Sequence, residues 1–114
     1  MNMQREQALH VFEALASAVR LDAYRLLVEA GQAGMVAGDL ASQLDVAPSR
    51  LSFHLKLLTE VGLTTVETEG RYLRYRAHLP QMRELIAYLT ERCCAGQPEL
   101  CAEVLPIPAA CKDC

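Results

Sequence analysis

At 114 residues and 52% hydrophobic content, the chain is sized for one domain with a modest core, which excludes a wholly disordered polypeptide. Its formal net charge of −3 argues against a general polyanion binder, so any nucleic-acid contact has to come from a local basic surface. No apolar run approaches the length of a membrane span and the N-terminus carries no signal-peptide pattern, so a cytoplasmic protein with no membrane partner is expected.

The periodicity predicts a first helix over Met3–Ala16, with Leu9, Phe12, Leu15 and Ala16 as its apolar stripe and Ala8 and Val11 widening it. Ser17 is placed to cap a second helix, Ala18–Ala30, whose inward face holds Val19, Ala23, Leu26 and Leu27. Gly31 and Gly34 punctuate its end. A short third helix is expected over Gly38–Leu44, with Val36, Leu40 and Leu44 at four-residue spacing. Asp45-Val46-Ala47 then makes a tight turn into a fourth helix, Pro48–Val61.

This fourth helix organises the reading. Leu51, Leu55 and Leu58 recur at i, i+4, i+7 and give it one buried stripe. Ser49, Arg50, Ser52, Phe53 and Lys56 lie away from that stripe, a face able to reach phosphates and base edges. Pro48 suits the first helical position, Val46 and Leu51 are spaced as a hydrophobic staple around Ala47, and Gly62 is placed for a left-handed cap that returns Leu63 to Leu58. Two short helices joined by about three residues, the second with an exposed polar face, form a helix-turn-helix pattern.

After Gly62 the period becomes extended. Leu63–Thr68 is β-branched, Glu69-Gly70 reads as a turn, and Arg71–Ala77 alternates with Tyr72, Arg74 and Arg76 on one face. A hairpin with a basic tip and return strand directly after such a helix is a wing. Between Pro48 and Arg76 five Lys/Arg face three acids, the local basic surface that the net charge requires. Pro80 opens a last helix to about Arg92, striped by Met82, Leu85, Ile86 and Leu89. The fold class is therefore mainly α with a β-hairpin, a winged helix-turn-helix in the order α-α-α-α-β-β-α. The first and last helices carry more apolar surface than a small core needs, which suggests a homodimer presenting two such helices to a two-fold DNA site.

All five cysteines follow residue 92. A secreted disulfide scaffold would spread them through the fold, so they read as reduced thiols with a local task. The chain thus divides into a DNA-binding and dimerisation domain, 1–92, and a cysteine-rich segment, 93–114.

The segments ALASAVRLDAYRLL, LSFHLKLLTEVGL and EGRYLRYRA resemble the ArsR/SmtB family of winged-helix repressors over about residues 9 to 92. That resemblance implies a non-enzymatic, dimeric repressor released from double-stranded operator DNA by a metal or metalloid, with no organic cofactor. The positions aligned with DNA contact are Ser49, Arg50, Ser52, His54 and Lys56, plus Arg71 on the wing. Asp45 and Ala47 depart from the small and hydroxylated residues common in the family's turn. Family sensors with a Cys-x-Cys pattern on the third helix would need cysteine near Val36–Leu40, and zinc sensors would need histidine between Pro80 and Arg92; neither is present. The arrangement of Cys93, Cys94 and Cys101 is similar to that of arsenic-responsive members. Thiolates select thiophilic ions, and trivalent As(III) or Sb(III) takes a three-sulfur pyramid, the number these three residues supply. Zinc or cadmium would prefer four ligands, recruiting Cys111, Cys114 or another residue. A thiol redox sensor, oxidised at Cys93 and Cys94, is the other reading of the same residues.

Overall fold

The computed structural model describes residues 3–92. Five helices and a three-stranded antiparallel sheet follow one another as α1 (Arg5–Leu15), α2 (Ala18–Ala30), a 3-10 turn (Gly31–Ala33), β1 (Met35–Val36), α3 (Ala37–Leu44), α4 (Pro48–Glu60), β2 (Thr64–Glu69), β3 (Tyr72–Ala77) and α5 (Leu79–Thr90). This is the expected winged helix-turn-helix with one strand more than the sequence disclosed.

Local chemistry sets the helix ends. Gln4 and Gln7 close a capping box at the start of α1, the side chain of Gln7 accepting the Gln4 backbone N–H at 2.9 Å. The Ser17 hydroxyl accepts the Arg20 N–H at the start of α2. Pro48 opens α4, as its missing N–H and fixed φ favour. At the far end the Gly62 N–H bonds the Thr59 carbonyl and the Leu63 N–H bonds the Leu58 carbonyl, both at 3.0 Å, while Gly62 takes φ 82°. These paired bonds are a Schellman cap, and they fold Leu63 into the core fully buried.

The core is built around α4. Leu51, Leu55 and Leu58 are all 0% exposed and meet Val11, Ala23, Leu27, Leu40 and Leu63. Helices α1, α2 and α3 and strand β2 all pack on it. Thr59 donates to or accepts from the buried Thr64 hydroxyl at 2.8 Å, tying α4 to the first wing strand. Gln81 of α5 donates to the Val61 carbonyl at 2.8 Å, tying α5 to the same corner.

Four expectations change. Met35 and Val36 form β1, pairing with Tyr75 and Arg74, so Val36 caps α3 instead of belonging to its stripe. Gly34 makes this possible: at φ 63° its backbone lies so close to the Tyr75 carbonyl that a Cβ would collide with it. In α1 the buried residues are Ala8, Val11 and Ala14, while Leu9 and Phe12 face outward at 51% and 42% exposure. In α5 only Leu85 is buried, and Ile86 and Leu89 remain 44% and 56% exposed. Small side chains let α1 sit close against the core, so its large ones are the ones left outside. The wing turn also moves by one residue: Glu69 pairs with Tyr72, leaving Gly70-Arg71 as the turn, with Gly70 at φ 61°.

Candidate nucleic-acid interface

The loop from Asp45 to Ala47 turns α3 into α4, with Asp45 in the left-handed region at φ 55°. Aspartate tolerates that conformation better than most residues. Val46 packs against the core cluster to which the buried Leu51 belongs, in keeping with a hydrophobic staple. With its leucine stripe fixed inward, α4 shows its opposite side to solvent. At 100° per residue, Ser49, Phe53, Lys56 and Glu60 run along the midline of that side, with Arg50 and Ser52 flanking them. All six are exposed. Glu60 stands at the C-terminal end, so the cationic part of the face runs from Arg50 to Lys56, and at its first turn the helix dipole also favours phosphate.

Arg50, Lys56 and the wing-tip Arg71 are exposed and make no hydrogen bond or ion pair among the described residues. The other two wing arginines are differently employed, which corrects the expectation of a basic return strand. Arg74 binds Glu69 at 2.9 Å and the Ala33 carbonyl at 2.9 Å; Arg76 binds Glu67 at 2.7 Å and the Gln32 carbonyl at 2.7 Å. Both acids of the hairpin are thereby neutralised, and both arginines lash the wing to the 3-10 turn that follows α2. Of the five basic residues between Pro48 and Arg76, those free among the described residues are Arg50, Lys56 and Arg71.

His54 stands off the midline and is half-buried. Its Nδ1 lies 2.9 Å from the Arg20 guanidinium, whose Nε donates to the Ala14 carbonyl at 2.6 Å. A guanidinium only donates, so Nδ1 must be the acceptor and the ring proton sits on Nε2. Burial, then the positive charges of Arg20 and Arg50, hold the His54 pKa below the ordinary histidine value. Arg20 is the residue that sequence reading missed: its partners lie 6 and 34 positions away, and no local spacing marks them. Cys93, Cys94 and Cys101 fall outside the described residues. Among the described residues no group of three or more His, Cys, Asp or Glu side chains is placed to hold a metal ion. Nor is any described helix long and apolar enough to cross a membrane.

The sequence and geometry can be set beside known proteins. A family model described as a helix-turn-helix domain matches residues 15–67. The chain is 34% identical over 83 residues to an arsenical resistance operon repressor of Bacillus subtilis, covering 73% of this chain and 75% of that one. It is 33% identical over 87 residues to an arsenical resistance operon repressor of Escherichia coli, covering 75% and 73% respectively. Among solved structures, an ArsR-like transcriptional regulator from Rhodococcus sp. RHA1 superposes with a TM-score of 0.61 at 29% identity, covering 87% of this chain and 90% of that one. These relatives are regulators and not enzymes. A buried leucine stripe under an exposed cationic face, a wing braced behind it and relatives that match across most of their length lead to one conclusion: the chain belongs to the ArsR/SmtB family of winged-helix transcriptional repressors.

Proposed function

We propose that this protein is a cytoplasmic, dimeric, metalloid-responsive repressor that leaves its operator when As(III) or Sb(III) binds the thiolates of Cys93, Cys94 and Cys101. The observation that carries the reading is the similarity to two arsenical resistance operon repressors over most of their length. The donor chemistry supports it, since three thiolates suit a trivalent metalloid. The dimer is supported by Leu9 and Phe12 on α1 and Ile86 and Leu89 on α5, exposed apolar groups on the two helices that frame the domain. In this reading Ser49, Arg50, Ser52, His54 and Lys56 face the major groove and Arg71 the adjacent backbone. His54, already engaged at Nδ1, has its Nε2–H left to donate.

The test is a mobility shift on the operator with reduced protein, titrated with arsenite, antimonite, zinc or peroxide. Arsenite or antimonite is expected to release the DNA. Serine at each of Cys93, Cys94 and Cys101 is expected to keep operator binding and lose that release, while removal of residues 111–114 leaves it nearly intact. Release by peroxide alone would replace the metalloid reading with a redox one. Release by zinc, abolished by the terminal truncation, would replace it with a tetrahedral metal site.

A further inference from the structure

We propose that Phe53 is a specificity-determining residue that reads the 5-methyl group of a thymine in each operator half-site. This rests on the operator reading above and extends it to a single base contact.

Phe53 occupies the midline of the exposed side of α4, four residues after Ser49 and three before Lys56. It is 60% exposed, although phenylalanine is ordinarily among the more buried residue types. Its recorded ring contact is with the neighbouring His54, at 5.7 Å between centroids and 67° between planes, an edge-on arrangement that leaves most of the ring uncovered. The other exposed apolar groups of the helical surface lie on α1, α2 and α5, so Phe53 stands apart from the proposed dimer seam. Beside the short hydroxyls of Ser49 and Ser52 its ring is a bulky apolar projection on this part of the helix. When α4 enters a major groove by this side, the ring meets the base edges.

Base edges in that groove are hydrogen-bond donors and acceptors with one apolar exception, the thymine methyl. A phenyl ring has neither donor nor acceptor. Set against a guanine or cytosine edge it would strip water from polar groups and return nothing, whereas against the methyl both partners lose only apolar surface. The same chemistry that makes an exposed phenylalanine unfavourable in the free protein therefore gives it a preference among base pairs.

The test begins by selecting duplexes from a randomised DNA pool with the reduced full-length protein. The enriched site is expected to hold a thymine at one fixed position in each half. Each thymine is then replaced singly by deoxyuridine, which removes the methyl and keeps every hydrogen-bonding group. Binding is expected to weaken about fourfold at that one position, as one methyl-sized burial of ~0.8 kcal/mol converts at ~1.4 kcal/mol per tenfold. In Phe53→Ala the thymine and deoxyuridine duplexes should bind equally, with the salt dependence unchanged because no phosphate contact is lost. Equal binding of all deoxyuridine duplexes by the wild-type protein overturns the proposal and leaves the operator reading standing. So does a methyl preference that persists in Phe53→Ala. Failure to enrich any duplex removes the operator reading and this proposal together. The wild-type scan decides the matter even if the variant does not fold.

Discussion

Helices α4 and α5 carry the same kind of apolar stripe and meet different fates. The three leucines of α4 are wholly buried, whereas α5 buries Leu85 and leaves Ile86 and Leu89 about half exposed. Periodicity identifies the face of a helix that avoids water; it does not say whose surface covers that face. Helix α4 is enclosed by α1, α2, α3 and β2 of its own chain. Helix α5 lies at the margin, with Gln81 bonded to the end of α4 and its later turns open. The outward Leu9 and Phe12 of α1 show the same division within one helix.

The comparison is broken most directly at Leu55. Leu55→Ala opens a cavity in the enclosed stripe and is expected to lower stability by about 2–5 kcal/mol, read as a fall in the urea midpoint at fixed protein concentration. A midpoint within error of wild type would mean that α4 is not the centre of the core. Next comes Arg20→Ala, which frees the Ala14 carbonyl and the His54 ring at once. A loss of ~1.5–3 kcal/mol is expected, the usual range for a hydrogen bond to a charged group. Wild-type stability would show the tether to be incidental.

A smaller effect is expected from pH. The folded pKa of His54 lies below its ordinary value of about 6.5, so the unfolded chain binds the proton more tightly. The stabilisation is fully present above the unfolded value and is lost as pH falls through it toward the lower folded pKa. The denaturation midpoint should therefore decline on acidification across that window, and His54→Gln should flatten the decline. An unchanged slope in the variant would assign the titration elsewhere. The chain's own fold should change least in Leu89→Glu. Its circular dichroism should match wild type, while sedimentation equilibrium gives the mass of a single chain. Leu85→Glu is a poorer probe, because that side chain is 3% exposed and a buried carboxylate threatens the fold itself. A stable Leu89→Glu dimer would place the interface away from the last turns of α5.

The legible parts of the sequence were those whose causes lie within a few residues. Ser17 announces α2, Pro48 and Gly62 bracket α4, and the Leu51-Leu55-Leu58 spacing gives the inward face, all as found. The missed parts have distant causes. Strand β1 is two residues long, too short to show a period, and exists because Tyr75 and Arg74 arrive forty residues later to pair with it. Arg74 and Arg76 read as part of the basic surface of the wing because charge spacing cannot reveal that Glu69 and Glu67 face them across the hairpin. Of the candidate DNA contacts, Ser49, Arg50, Ser52, Lys56 and Arg71 are exposed, whereas His54 answers to Arg20 from another helix.

The lashing of the wing has a consequence for the thermodynamics of recognition. Two arginine-to-carbonyl bonds and the β1–β3 pairing hold the hairpin against the 3-10 turn and β1 in the free chain. A wing that ordered only on DNA would lose conformational entropy at the moment of contact, and its folding would add to the heat-capacity change of association. Here that ordering belongs to folding. The heat-capacity change on operator binding should then follow the contact surface alone, and cutting both lashes with Arg74→Ala and Arg76→Ala together should make it more negative as the wing's ordering is transferred from folding to binding.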